Sequence, residues 1–135
     1  MLNPHGKQVK DAVDFLINFV NRSQLTVMVQ NCRGEEGLYF CNLLVKTANI
    51  IVSMPRRYEQ ENLGDQAVVH LHYFYGGYDW FITEKDTDPG IQNQAFGLAV
   101  VHEAELGYIS IAELIQNGVE FDLHWTPRTL SEVNV

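Results

Sequence analysis

The stretch ELGYISIAEL, residues 105–114, decides the predicted fold, because it has the pattern of a strand that turns directly into a short helix. Leu106 and Tyr108 are apolar positions two residues apart, which is typical of a half-buried strand. Ser110 followed by Glu113 predicts a capping box, in which each side chain binds an otherwise unpaired backbone N–H at the helix start. We therefore expect a strand that ends near 109 and a short capped helix over 110–117.

Strand patterns surround this stretch on both sides. Residues 66–74 and 79–84 are rich in β-branched and aromatic residues, and the Tyr-Gly-Gly-Tyr turn between them is typical of a β-hairpin. Residues 95–102 are largely apolar and predict a central strand. Residues 119–125 predict a last strand or an extended arm, after the helix end at Asn117-Gly118. Strands that are grouped together, with few helices, indicate an α+β fold with a mainly antiparallel sheet.

The first 54 residues have a different pattern. Residues 7–21 repeat apolar side chains at intervals of three and four, which predicts an amphipathic helix. Residues 25–30 and 38–43 predict two strands joined by a glycine-containing turn. Residues 44–54 fit either a helix or a strand, because the run Ile-Ile-Val favours a strand whereas the length allows a helix. Pro55 ends the segment in either case.

Length and composition indicate the number of domains and the class of protein. The 135 residues are 46% hydrophobic and 19% charged, which is typical of one globular domain. We expect a single domain over 1–135, with a helix and hairpin unit at 1–54 and a β-rich unit at 55–133. No apolar run is long enough to cross a bilayer and residues 1–5 lack a secretory pattern, so we expect no membrane association and a cytoplasmic location. Cys32 and Cys41 are expected to be reduced, half-buried thiols, and they could face each other across the hairpin.

The formal net charge of −8 is concentrated in the C-terminal half. Residues 84–122 contain eight acidic side chains and one basic one, Lys85, which gives −7. Such a surface repels phosphates and argues against direct binding of nucleic acid. It could attract a protein with a basic surface, or serve only to keep the chain in solution. Arg56-Arg57, the one basic pair, is expected to pair with the acidic half of the same chain.

His70 and His72 are two residues apart on a predicted strand, so both point to the same side. This is the arrangement of a metal-binding pair, and Glu84 or His124 could supply a further ligand. The alternative is that both imidazoles pack against neighbouring side chains. We predict no metal and no cofactor, and we keep a metal-assisted site as an alternative hypothesis.

His102, Glu103 and Glu105 could serve acid–base chemistry if burial separated the pKa values of the carboxyl groups. Because they flank a turn, we expect them to be solvated. The sequence contains no nucleophile or phosphate-binding motif. We therefore predict no catalytic residues, and we expect the charged and imidazole groups after residue 65 to lie scattered over a solvated surface.

Aromatic side chains are densest between residues 73 and 81. There is no basic residue between His70 and Glu84, which argues against a nucleic-acid platform. Packing within the hairpin is one interpretation, and a protein-contact patch is the other. The candidate partner-binding residues are Tyr75, Tyr78, Trp80, Glu103, Glu105 and Tyr108.

Residues 55–133 also carry a series of short motifs in order. They are Tyr58-Glu59-Gln60-Glu61, Trp80-Phe-Ile-Thr-Glu84, Phe96-Gly97-Leu98, the stretch 105–114 and Asp122-Leu123-His124. In this order the motifs resemble a bacterial family of domains of unknown function that is carried on plasmids, phages and integrative elements. The chain departs from the pattern at Arg57 and Phe121, and residues 1–54 lie outside it. The resemblance implies a mobile-element context and supplies no reaction.

Three hypotheses follow. The first is a non-enzymatic protein-binding module of a mobile genetic element, which could counteract a host defence or nucleic-acid-handling complex through its acidic half. Its partner would be a host or element-encoded protein. The second is a metal-assisted enzyme that uses His70, His72 and a nearby carboxylate or His124. The third is a structural homodimer formed through the N-terminal helix or an exposed strand edge.

Overall fold

The computed structural model describes residues 6–133. Residues 1–5 and 134–135, and with them the expectation about a secretory segment, lie outside the described residues. The α-helices are α1 Gly6–Leu16, α2 Arg22–Asn31, α3 Gly37–Ser53 and α4 Ile111–Gln116. The strands are β1 Val68–Val69, β2 Leu71–Tyr75, β3 Tyr78–Glu84, β4 Ala95–Val100, β5 Ala104–Ile109, β6 Glu120–Phe121 and β7 Arg128–Thr129.

One five-stranded antiparallel sheet has the strand order β5-β4-β3-β2-β6, and β1 pairs with β7 in a second, two-stranded sheet. The predicted α+β class is confirmed. The predicted hairpin is confirmed as well, since β2 and β3 pair from Leu71↔Ile82 to Tyr75↔Tyr78. The predicted strand at 66–74 begins only at Val68 and is interrupted at His70, and of the predicted strand or arm at 119–125 only β6 is assigned as a strand.

The strand-to-helix stretch has the expected elements, but of the predicted capping box the described contacts include only the bond to the Ser110 side chain. β5 ends at Ile109, and the Oγ atom of Ser110 accepts the backbone N–H of Glu113 at 3.1 Å. The helix α4 ends at Gln116, and Gly118 follows with a φ of +76°, a conformation that glycine adopts without a steric penalty. The capped helix near 110–117 is therefore confirmed.

The N-terminal hairpin is a wrong prediction, because residues 25–30 and 38–43 lie in the helices α2 and α3. Residues 44–54, which were open between helix and strand, belong almost entirely to α3. The side chains that α3 buries recur at helical intervals and pack in the core: Cys41, Leu44, Ala48 and Ile51. Burial of one continuous stripe outweighs the β preference of single β-branched residues.

The predicted helix at 7–21 is shorter than expected, since α1 ends at Leu16. Asn21 begins the next helix, because its side chain accepts the backbone N–H of Gln24 at 2.8 Å and caps α2. Its side-chain amide also donates to the carbonyl of Val119 at 3.0 Å, which ties the helices to the end of α4.

The helices pack on one side of the five-stranded sheet, here called the inner face. The core joins Leu16, Phe19 and Leu44 of the helical part to Tyr73 and Ile82 of the sheet. The hydroxyl of Tyr73 donates to the backbone carbonyl of Phe19, so the one polar atom of this buried ring is satisfied. The helical layer therefore leaves the opposite side of the sheet to the C-terminal part of the chain.

Gly97 allows β4 and β3 to approach closely beside an irregularity in their pairing between Ile82 and Glu84. A Cβ atom at Gly97 would lie 2.0 Å from the carbonyl oxygen of Phe81, so no other residue fits without a shift of the backbone.

Cys32 and Cys41 do approach each other, but from the ends of two helices rather than across a hairpin. Neither forms a disulfide, and Cys41 is buried. Burial, and then a hydrogen bond with the Cys41 thiol, raise the pKa of Cys32 to about 11. A thiol with a raised pKa is a weak nucleophile at neutral pH, which argues against a reactive thiolate at Cys32.

Candidate functional site

The side of the sheet opposite the helices is called the outer face. Residues directly opposite each other on paired strands point to the same side. The register pairs His72 with Phe81, Phe81 with Leu98, and Leu98 with Leu106, so this row crosses the outer face from β2 to β5. The same alternation places further residues on it: Phe74, Asp79, Phe96, Val100 and Tyr108.

One half of the outer face is covered by the segment that follows β6. The indole N–H of Trp125 donates to the carbonyl of Val69 at 3.0 Å. The Trp125 ring lies 5.0 Å from the imidazole of His72 and 5.8 Å from the ring of Phe81, measured between centroids. Phe81 is consequently only 6% exposed. We refer to His72, Phe81, Trp125, Asp79 and Asp122 as the His72 cluster.

His72 is held between two carboxylates. Its Nδ1 atom lies 2.9 Å from Asp122 Oδ2, and its Nε2 atom lies 2.8 Å from Asp79 Oδ1. Both contacts are hydrogen bonds at the same time only when each ring nitrogen carries a hydrogen, or when one carboxyl group is protonated. The ring also stacks on Phe81 with 4.8 Å between centroids. No ring nitrogen of His72 is therefore left to bind a metal or take a proton from a substrate.

The expectation that the charged and imidazole groups after residue 65 are scattered is wrong for these three residues. His72, Asp79 and Asp122 converge, and the side chain of His72 is only 13% exposed. Alternation along β3 could have placed Asp79 opposite Phe74 on the same face as His72. The contact with Asp122 depends on the pairing of β6 with β2, where the backbone N–H of Asp122 donates to the carbonyl of His72 at 2.9 Å, and pairing over 50 residues has no local signal. The cluster stabilises the covered half of the sheet.

The candidate metal ligands do not come together. Among the described residues, no group of three His, Cys, Asp or Glu side chains could hold a metal ion. His70 is half-buried, and burial lowers its pKa. His124 is exposed, and its backbone N–H donates to Asp122 Oδ1 at 3.0 Å. Glu84, the proposed further ligand, has a different role.

Glu84 holds the segment that precedes β1. The residue is 4% exposed, and its two carboxylate oxygens accept the backbone N–H groups of Tyr58 at 2.9 Å and Gln60 at 2.6 Å. Tyr58 has a φ of +75°, which is unusual for an aromatic residue and costs roughly 1–3 kcal/mol. The bonds to Glu84 compensate for this strain. Gln60 adds further bonds to the backbone of Val68 and Thr83.

This segment forms one wall of a pocket of about 250 Å³ on the outer face, here called the Tyr108 pocket. The hydroxyl groups of Tyr58 and Tyr108 lie 2.8 Å apart across its rim. The pocket is mainly apolar, and Phe96, Leu106 and Leu130 contribute to its lining. Its volume is below the range of about 300–1,000 Å³ that is typical of pockets for small-molecule ligands. One amino-acid side chain is therefore a suitable occupant.

Arg57 lies at the same place. Its guanidinium group donates to Thr87 at 2.8 Å and to Gln94, lies 3.7 Å from Asp86, and faces the ring of Tyr108 at 6.0 Å. Burial raises the pKa of Asp86, but backbone N–H groups and Arg57 outweigh that effect, so the pKa is lower than usual. The predicted pairing of the basic residues with the acidic half of the chain is confirmed for Arg57.

The strand β5 forms an open edge of the sheet. Among the described residues β5 pairs only with β4, so its other side has unpaired backbone groups. Leu106 is 59% exposed and Tyr108 is 56% exposed. Glu103 and Glu105 are exposed, and within the described part of the chain their side chains form no hydrogen bond or ion pair. Apolar surface, acidic groups and an open strand therefore occur together here.

The candidate partner-binding residues lie in three places. Tyr75, Tyr78 and Trp80 lie on the inner-face side at the hairpin end, where the ring of Tyr78 is 6.4 Å from that of Trp80. Glu105 shares that side of the sheet through its pairing with Ala99. Two of the predicted residues lie elsewhere, in the turn before β5 and on the outer face: Glu103 and Tyr108. Their role in binding stays a prediction.

The His102, Glu103 and Glu105 group does not form a cleft. All three residues are exposed, and the ring of His102 lies 5.8 Å from the ring of Tyr78. General acid–base chemistry needs two titratable groups in different environments. These two carboxylates are exposed and bind neither each other nor the imidazole.

A larger groove of about 670 Å³ lies between the α1–α2 junction and α4. Exposed Ile17 and Ile91 contribute apolar surface to it. Arg22 is the only titratable residue among those that line the groove. The groove therefore combines no acidic groups with its apolar surface, and it lacks an open strand, which distinguishes it from β5.

No helix within residues 6–133 combines the length and apolar character that crossing a membrane requires. A scan against protein-family models found no match, and neither curated proteins nor solved structures gave one. The resemblance to a mobile-element family therefore stays a prediction that depends on the motif order alone. Several residues of those motifs line the Tyr108 pocket: Tyr58, Gln60, Glu61, Glu84, Phe96, Leu106 and Tyr108.

The sequence did not predict the pocket residues that belong to the segment before β1. Tyr58 and Gln60 lie in a stretch without periodicity, which gave no reason to expect a contact with β3. The signal that could have found them is Glu84, because a carboxylate near the end of a central strand requires buried donors.

Proposed function

We propose that the chain is a non-enzymatic protein-binding module that contacts its partner through β5 and the adjoining turn. The single observation that carries this proposal is the edge strand itself: it is open on one side, carries the exposed side chains Leu106 and Tyr108, and has acidic Glu103 and Glu105 at its start. Exposed apolar side chains beside an unpaired strand edge are typical of protein-interaction sites.

The contacts of the titratable groups support a binding role over a catalytic one. The two ring nitrogens of His72 and the two carboxylate oxygens of Glu84 already have partners within the chain. The acidic groups of β5 favour a partner with a basic surface, because complementary charge steers association and orients the partner. The motif order is the only support for the mobile-element context and for an action on a host defence or nucleic-acid-handling complex. Both are part of the proposal.

The test is capture of partners by cross-linking with Leu106→Glu and a matched control. Leu106→Glu places a charge in the exposed apolar surface of β5. Leu38→Glu makes the same change on α3, where Leu38 is 62% exposed. We expect the wild type and Leu38→Glu to capture the same protein and Leu106→Glu to lose it. Equal capture by all three variants would contradict a contact through β5.

A further inference from the structure

We infer that the partner binds by strand addition: an extended basic segment of another protein pairs with β5 as a sixth strand, and one of its apolar side chains enters the Tyr108 pocket. This inference rests on the proposed function and specifies how the binding occurs. It requires an accessible strand and a pocket for a side chain. It also requires a reason why β5 pairs with a foreign segment rather than with β5 of a second copy.

The strand is regular along its whole length. The register with β4 runs from Ala95↔Ile109 to Val100↔Ala104 without a shift, so the free side of β5 is a straight row of backbone donors and acceptors. β5 contains no proline and no lysine, two residues that commonly block an open edge. Its six residues match the length of a typical strand. A peptide could therefore pair along all of β5.

The Tyr108 pocket lies beside this edge. Leu106 and Tyr108 belong both to β5 and to the lining of the pocket, so a strand added to β5 passes its rim. Backbone hydrogen bonds would supply affinity, and a pocket that accepts alternate side chains would supply specificity. The apolar lining and the volume of about 250 Å³ favour a single aliphatic or aromatic side chain.

The charges argue for a foreign, basic segment. Glu103 and Glu105 are exposed at the start of the strand. If two copies of β5 paired antiparallel over residues 104–109, Glu105 of each copy would lie opposite Tyr108 of the other, so neither carboxylate would face an opposite charge. A foreign segment with lysine or arginine opposite Glu103 and Glu105 gains cross-strand pairs of opposite charge, which are stabilising.

The test selects binders of the full chain from a displayed library of random peptides. A length of about twelve residues lets a peptide pair with all of β5. We expect enriched peptides to combine alternating apolar residues with basic ones, and to bind the wild type and Leu38→Glu but not Leu106→Glu. Failure to enrich any such peptide overturns strand addition by a linear segment. Capture of a folded partner in the cross-linking experiment would still support the proposed function.

N-methylation of the best peptide separates strand addition from docking by side chains alone. The residues of an added strand alternate between donors that face β5 and donors that face away. Methylation of two residues of one alternate set should weaken binding by about tenfold, whereas methylation of the other set should not. Equal effects of the two sets overturn strand addition and leave the protein-binding proposal intact. If the wild type forms a dimer and Leu106→Glu does not, the occupant of β5 is a second copy of the chain. That result would overturn the proposal of a foreign segment.

Discussion

The two halves of the outer face carry similar side chains but differ in accessibility. On β2 and β3, His72 and Phe81 lie beneath Trp125, and Phe81 is 6% exposed. On β5, Leu106 and Tyr108 have no such cover, and Leu106 is 59% exposed. The difference arises because Trp125, in the segment after β6, lies over His72 and Phe81, whereas Leu106 and Tyr108 remain exposed at the sheet edge. The covered half stabilises the fold, and the open half is the surface that we assign to binding.

The largest expected effect comes from removing the cover. Trp125→Ala removes the indole contacts with His72 and Phe81 and the bond to Val69. Because Trp125 is half-buried, we expect the free energy of unfolding to fall by about 3 kcal/mol, the low end for truncation of a large aromatic residue. Chemical denaturation measures this change.

Tyr108→Ala is the matched control on the open half. Tyr108 is 56% exposed, so its truncation should lower the free energy of unfolding by less than about 1 kcal/mol. Equal losses for Trp125→Ala and Tyr108→Ala would remove the distinction between the two halves.

His72→Phe tests the polar part of the covered half. The new ring can still stack on Phe81, but the hydrogen bonds to Asp79 and Asp122 are lost. We expect a loss of about 2 kcal/mol, because bonds to charged groups are strong but both carboxylates retain access to water. The same substitution at exposed His124 should leave the free energy of unfolding nearly unchanged. A stable His72→Phe protein would show that the two hydrogen bonds contribute little.

Glu84→Gln tests how the pocket wall is held. An amide offers one acceptor oxygen in place of two, so the backbone N–H of Tyr58 or of Gln60 loses its partner. We expect a loss of about 1–2 kcal/mol in the free energy of unfolding. Exposed Glu61 lines the same pocket, and Glu61→Gln should have no effect on stability. Equal stability of the two variants would contradict the assigned role of Glu84.

Tyr58→Phe has the smallest expected effect. The hydrogen bond between the hydroxyl groups of Tyr58 and Tyr108 is the largest cause that raises the pKa of Tyr108, ahead of burial. Its loss should lower the pKa of Tyr108 toward the usual value, which titration of tyrosinate absorbance measures. Because the pKa is raised in the folded chain, this contribution to stability is present below the usual tyrosine pKa and is lost as the pH rises through the raised value. Tyr75→Phe is the control, and an unchanged Tyr108 titration in Tyr58→Phe would contradict the bond.

The sequence predicted the sheet better than the helical layer. The Tyr-Gly-Gly-Tyr turn and the Ser110 cap act through local backbone geometry, so they are visible in a short stretch of sequence. The helices α2 and α3 depend on burial against the inner face, which outweighs the local preference of residues such as Val27 and Ile50 for strands. Local patterns do not contain that information.

The site was less predictable for a related reason. The open edge of β5 depends on strand order, which pairing over long sequence distances decides. The contact of His72 with Asp122 spans 50 residues, and the bonds from Glu84 to Tyr58 and Gln60 span 26 and 24. Residue type and spacing along the predicted hairpin made His72 and Glu84 candidates for metal binding, whereas the structure uses both to hold neighbouring segments in place.

The most direct test of the account is amide hydrogen exchange along β5 in the free chain, followed residue by residue at low and high protein concentration. An open edge predicts that protection alternates over residues 104–109, because only the N–H groups that face β4 are bonded. The pattern should not change with concentration. Uniform slow exchange along all of β5 would show that another part of the chain or a second copy covers this edge, and it would contradict the assignment of β5 as the binding surface.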